Sequence, residues 1–145
     1  MLLAALSADA ARVSKPIVLL IEDDNAVRET LVRILERAGL HILPACSGDE
    51  AVKIASHTFP DVIVTDFNMP GMNGVEAVRA LRRTTTLFHL PALIISGRPI
   101  PEVAESVERL GMARLIPKPF LFADLIQSIR NLCDQDAPVT VTSST

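Results

Sequence analysis

A chain of 145 residues with 49% hydrophobic content and a net charge of −3 is long enough to bury a full core in one domain, which excludes a disordered or fibrous polymer. Acids and bases are interspersed, so neither a basic stripe for nucleic acid nor a cationic amphipathic face for a membrane is expected. Cys46 and Cys133 show no metal-like spacing and read as reduced thiols of a cytoplasmic protein.

The opening apolar run, residues 1–6, lacks a basic start and is too short to span a bilayer. Its first basic residue, Arg12, follows the run, so residues 1–15 read as a loose or helical extension. Ile17–Ile21 is a continuous apolar run of strand length that ends in Glu22-Asp23-Asp24. A strand apolar on both faces implies a sheet covered on both sides. Val27, Leu31, Ile34, Leu35 and Ala38 then recur at helical spacing, and Gly39 supplies the stop. His41–Ala45 reads as a second strand whose Pro44 favours a strand end or a sheet edge. Ser47-Gly48-Asp49-Glu50 is a capping box, with Glu50 reaching back and Ala51, Ile54 and Ala55 forming the stripe behind it.

Residues 61–66 form the third predicted strand, and residues 74–83 a third helix with Val75, Val78 and Leu81 on one face. Thr84-Thr85-Thr86 and Pro91 mark a loop before a fourth strand, Ala92–Ser96. Pro101 and Glu102 suit the first turn of a fourth helix, which turns Val103, Val107 and Leu110 inward and stops at Gly111. A brief fifth strand over 114–117 and a last helix over 121–133, with Leu125, Ile126, Ile129 and Leu132 apolar, complete the series. The tail from Gln135, rich in Thr and Ser, lacks periodicity and reads as disordered. Five strands alternating with five helices predict an α/β domain over residues 16–134, a parallel sheet with right-handed crossovers.

The polar exceptions to this pattern fall together. Glu22 and Asp23 follow the first strand, Asp66 ends the third, Ser96 ends the fourth and Lys118 follows the fifth, so all five lie at one edge of the sheet. That edge is where ligands bind in open α/β sheets. Taken singly, each has a plainer explanation: Glu22 and Asp23 as charges in a helix's first turn, Asp66 and Ser96 as turn residues, Lys118 as a solvated lysine. Their joint placement favours a site. Two unit charges ~4 Å apart repel by about 4 kcal/mol at an effective dielectric constant near 20, so three acids favour a bound cation. Hard oxygen ligands with open positions suit Mg²⁺.

Asp66 stands in Asp66-Phe67-Asn68-Met69-Pro70-Gly71-Met72-Asn73-Gly74, with Ser96 and Lys118 lying 30 and 52 positions beyond it. Together with Glu22-Asp23 and Pro117-Lys118-Pro119-Phe120, this set resembles the receiver domain of two-component response regulators over about residues 16 to 134. The resemblance implies a flavodoxin-like (βα)5 fold with strand order 2-1-3-4-5. It implies that Asp66 is the phosphoacceptor and that Glu22, Asp23, Asp66 and the main-chain carbonyl of Asn68 hold Mg²⁺. Lys118 would pair with phosphoryl oxygens and the Ser96 hydroxyl would bond one of them.

The implied donor is a sensor histidine kinase or a histidine phosphotransfer protein, and the expected protein is a stand-alone, single-domain response regulator whose output is binding to a downstream protein or onward phosphorelay. A weak homodimer through the fourth-helix, fifth-strand and fifth-helix face is a further expectation. Nucleic-acid and membrane partners are not expected, nor is turnover of an external substrate: such a domain promotes its own phosphoryl transfer and dephosphorylation. The position three before the lysine, usually aromatic in the family, is Leu115, so the signal is expected to pass through the Ser96 loop and the fourth helix. Asn68 and Arg98 occupy variable positions that influence dephosphorylation, and the Lys118-Pro119 bond is a candidate for cis. Three alternatives stay open: a docking module independent of phosphorylation, a receiver excised from a hybrid histidine kinase, and a phosphatase with an aspartyl nucleophile. The last would want a second acid two residues after Asp66, where this chain has Asn68.

Overall fold

The computed structural model describes residues 15–84, 89–97 and 101–134. In chain order these form β1 (Ile17–Ile21), α1 (Asn25–Arg37), β2 (His41–Ala45), α2 (Gly48–Ala55), β3 (Val62–Asp66), α3 (Gly74–Thr84), β4 (Ala92–Ser96), α4 (Pro101–Leu110), β5 (Ala113–Pro117) and α5 (Phe122–Cys133). The strands make one sheet in the expected order, β2-β1-β3-β4-β5, with every neighbouring pair parallel. The sheet divides the core in two. Leu19, Ile21, Ile63 and Ile94 point into a layer closed by Ala51, Ala55, Val75, Val78, Leu81, Val103 and Val107 of α2, α3 and α4. Val18, Leu20, Val64, Leu93 and Ile95 point the other way, against Leu31 and Leu35 of α1 and Leu125, Ile129 and Leu132 of α5. Strand side chains alternate between faces, and here both faces are covered, so both sets must be apolar.

The prolines sit where a missing N–H is tolerated. Pro44 lies opposite Leu20 on the edge strand β2, and Pro117 ends the other edge strand, β5. Asp61, expected to begin β3, instead lies just before it and locks the start of β1: its carboxylate accepts from Ile17 N at 2.7 Å and its own N–H donates to Ile17 O. Gly39 and Gly111 end α1 and α4 with φ of 92° and 71°, the left-handed conformation glycine adopts without a Cβ penalty.

Several details depart from expectation. Val27 is 41% exposed rather than inward, because the first turn of α1 extends to Phe122, with which Val27 lines a small cavity, while Leu31 and Leu35 carry the buried stripe. Ile34, Ala38, Leu110 and Ile126 are only half-buried. Phe122, at the start of α5, is exposed and meets Phe120 edge to face at 5.9 Å. The Ser47 hydroxyl caps Glu50 N at 3.1 Å as expected, but Glu50 reaches back one residue further, to Cys46 N at 2.6 Å. Neither Cys46 nor Cys133 is disulfide-bonded. The expectations for residues 1–14, for Thr85 and Thr86, for Arg98, and for the tail from Gln135 lie outside the described residues. No helix among the described residues is long and apolar enough to cross a membrane.

Candidate functional site

β1 sits between β2 and β3, so the chain leaves it on one side and returns on the other, and a crevice opens at the carboxyl ends of β1 and β3. Glu22 and Asp23 follow β1 into that crevice. Glu22 is buried, with its N–H donating to Ala45 O at 3.0 Å and its carboxylate accepting from Asp24 N at 3.1 Å. Asp24 in turn caps α1 by accepting from Val27 N at 3.0 Å. Asp23 is left exposed beside them.

Asp66 is the last residue of β3 and is 7% exposed. The backbone holds it from both sides. Phe67 N–H continues the sheet to Ile95 O at 2.8 Å, and the Thr65 hydroxyl donates to the Asp66 carbonyl at 3.0 Å. The following loop folds back so that Gly74 N–H donates to Phe67 O at 2.8 Å. A Cβ at Gly74 would stand 2.5 Å from Asp66 O, so only glycine lets the loop close there. Asn73 and Glu76 then start α3 with a reciprocal capping box, at 2.8 and 2.9 Å.

Lys118 reaches the crevice from β5. Its N–H donates to Ser96 O at 2.9 Å, and its ammonium lies 2.7 Å from Asp66 Oδ1. The Lys118-Pro119 bond is cis, as the sequence suggested. Ser96 is 1% exposed at the end of β4. Asn68 is exposed on the loop two residues beyond Asp66. Leu115 pairs in register with Ile94 and packs, half-buried, against the α3 and α4 layer.

One carboxylate oxygen each from Glu22, Asp23 and Asp66 can be chosen so that all lie within 4.8 Å of one another. Opposite ligands of an octahedral Mg²⁺ are about 4.2 Å apart, so small side-chain adjustments would let this all-oxygen set hold the ion. The electrostatics agree. Burial pushes the Glu22 carboxyl above its ordinary value; the Asp24 amide opposes this, the negative charges of Asp66 and Asp23 reinforce it, and Lys118 works against them. Three carboxylates facing one ammonium leave a negative surplus that a divalent cation would neutralise.

Two contributions escaped the sequence reading. Arg28 Nη1 donates to Glu22 O at 2.8 Å and fixes the turn carrying the first two acids. The Asn73–Glu76 cap was the other, although its Asn-x-x-Glu pattern is a local signature that could have found it; Arg28, a helix arginine reaching back to a strand-end carbonyl, carries none.

Residues 18–130 match the family model described as the response regulator receiver domain. A relative named transcriptional regulatory protein PrrA, from Mycobacterium leprae, is 33% identical over 132 residues, covering 91% of this chain and 56% of that protein. The chain thus spans about half the length of the curated relatives it matches. Among solved structures, the chemotaxis protein CheY4 of Vibrio cholerae superposes with a TM-score of 0.77 at 28% identity, covering 82% of this chain and 99% of that one. The signal receiver domain of a signal transduction histidine kinase from Syntrophus aciditrophicus gives 0.75 at 28% identity, covering 90% of this chain and 97% of that one.

Proposed function

The chain belongs to the response regulator receiver domain family, and on that premise we propose that it accepts a phosphoryl group on Asp66 from a phosphohistidine partner and signals through the protein contacts this changes. The observation that carries the reading is the buried Asp66 carboxylate, 2.7 Å from the Lys118 ammonium and grouped with Glu22 and Asp23. An Asp66 oxygen attacks phosphorus as the bond from phosphorus to the donor imidazole nitrogen breaks, and the electron pair leaves with the imidazole. Catalysis of such a transfer is mostly positioning and neutralisation of charge on the phosphoryl oxygens. Lys118 is held for the second task, and the cluster of acids for the first. Mg²⁺ bound by Glu22, Asp23, Asp66 and the Asn68 main-chain carbonyl supplies further neutralisation.

Phosphorylation adds roughly −1.5 to −2 charges at the Asp66 position. Ser96, buried one strand away, offers its hydroxyl to the new oxygens, and its loop leads directly into α4. Leu115 lacks the ring that in relatives turns inward, so the packing of α4 over β4 and β5 carries the signal. The donor docks beside the site, where exposed Val27, Leu121 and Phe122 offer apolar contact area. In this reading the domain works in the cytoplasm and turns over no external substrate. The relatives' names support a second output: the switch serves a transcriptional regulator, as in the protein named PrrA, or a histidine kinase, as in the Syntrophus receiver.

Intact mass after incubation with acetyl phosphate tests the site. The expected result is the gain of one phosphoryl group that requires Mg²⁺ and is absent in Asp66→Ala. No gain in the wild-type chain at saturating Mg²⁺ would overturn the phosphoacceptor reading and leave docking without phosphorylation.

A further inference from the structure

Residues 77–91 contain three arginines, Arg79, Arg82 and Arg83, and no acid, within a chain of net charge −3. At the end of α3 away from Asp66, the side chains of Arg79, Arg82, Arg83 and Arg109 line one open depression of about 330 Å³, bordered by Leu110. Part of this cluster has a structural purpose. Arg82 and Arg83 occupy the last turn of α3 and Arg109 the last turn of α4, where cations complement the helix dipole. Arg82 also donates to Leu90 O, Leu110 O and Met112 O at 2.8 to 3.2 Å, tying the end of α4 to the starts of β4 and β5.

Those purposes do not account for the whole. Arg79 lies before the last turn, beyond the reach of the dipole effect, and one turn from Arg83, where like charges destabilise a helix. Arg82 is half-buried and its partners are neutral carbonyls; burial alone lowers its pKa from the usual arginine value. Among the described residues, Arg79, Arg82 and Arg83 form no ion pair, and Arg109 has only Glu105, at 3.9 Å with both side chains 66% exposed and therefore screened. Arg83 also borders a neighbouring depression containing Asp49 and Glu76 without pairing to either, and Glu76 is engaged in its capping box. Four arginines from two helices thus line one concavity, with the Arg82 guanidinium engaged by carbonyls and those of Arg79, Arg83 and Arg109 having one weakly placed carboxylate among them.

We propose that this depression binds a small phosphate polyanion through its diphosphate group. Guanidinium forks match phosphate oxygens in pairs, and two linked phosphates offer more such pairs to arginines on two helices than one phosphate does. Inorganic diphosphate and a nucleoside diphosphate share this chemistry. The proposal does not depend on phosphoryl transfer at Asp66.

Isothermal titration of the full chain with inorganic pyrophosphate, at low salt and with EDTA present so that no metal bridges the anion to the acids, is the test. One-to-one saturable binding is expected, weakened roughly tenfold or more in an Arg79→Ala/Arg83→Ala variant and unchanged in Asp66→Asn. Both arginines are exposed, so the variant should keep its circular dichroism spectrum and its acetyl phosphate labelling. ADP binding as tightly as pyrophosphate would mean that the diphosphate alone is read, and tighter binding would assign a nucleoside diphosphate. No saturable binding, or equal affinity in the double variant, would overturn the proposal. A single Arg79→Glu variant gives the same decision should the double variant fold poorly.

Discussion

The two ends of the sheet solve the same problem with opposite materials. Where α4 and the starts of β4 and β5 converge, one side chain, Arg82, donates to three backbone carbonyls, of which Met112 O also accepts from the Ala92 amide. Around Asp66 the chain relies chiefly on backbone: the Phe67 and Gly74 amides close the loop, and the Glu76 carboxylate caps the Asn73 amide where the loop enters α3. Asp23 there is left exposed, and the Asp66 carboxylate meets the Lys118 ammonium. A charge whose hydrogen bonds are consumed by local carbonyls is scaffolding. Like charges crowded together on a scaffold that does not need them mark a site.

This contrast can be broken first at Gly74. Gly74→Ala puts a Cβ against the Asp66 carbonyl, and we expect about 3 kcal/mol of destabilisation by urea unfolding together with loss of acetyl phosphate labelling. A variant as stable and as readily labelled as the wild type would mean that the loop does not need its close approach. At the other end, Arg82→Met keeps the apolar stem but takes the Arg82 donors from Leu90 O and Leu110 O, while Met112 O keeps the Ala92 amide. A loss of about 2 kcal/mol is expected with labelling by acetyl phosphate retained. If Arg82→Met instead abolished labelling while remaining folded, the division between the two ends would fail.

Glu22 sharpens the comparison through pH. Its folded-state pKa is raised above 4.5, so its contribution to the stability of the metal-free protein is present at low pH and is lost as pH rises from about that value through the folded-state pKa. Glu22→Gln should flatten this decline, raise metal-free stability near neutral pH by about 1 kcal/mol and reduce the rise in melting temperature on adding Mg²⁺. Thermal melts of both proteins across that range, with EDTA or with Mg²⁺, provide the check. The smallest effect is expected at Glu50, whose pKa is lowered chiefly by the hydrogen bond from the Cys46 amide. Its contribution is present above the unfolded-state pKa and is lost as pH falls through the folded one. Because it is exposed, Glu50→Gln should cost only about 0.5 kcal/mol near neutral pH, measured by urea unfolding.

Legibility followed the range of the interactions. The strands and the cluster of Glu22, Asp23 and Asp66 were readable because each signal is local, a carboxylate at the end of an apolar run, and the parallel fold then brings those ends together; the strand order came from the family resemblance. Val27 misled because helical periodicity says which residues share a face but not how far the neighbouring sheet extends beneath them. Glu50 took Cys46 rather than Ser47, a choice between adjacent amides that no pattern of residue types encodes. Arg82 was invisible for the deepest reason: its acceptors lie 8, 28 and 30 residues away, and only the completed fold puts them around one guanidinium.

The two outer strands carry a last consequence. An open sheet presents unsatisfied amides along its borders, and a second molecule can add its own strand there and grow into an aggregate. Here Pro44 removes a donor from one border and Pro117 from the other, while exposed Arg114 adds charge beside the latter. Lateral growth is disfavoured on both sides. Association of this chain with itself then has to use helix faces, so it should remain reversible, dilute away and stop at a small closed number of copies rather than propagate.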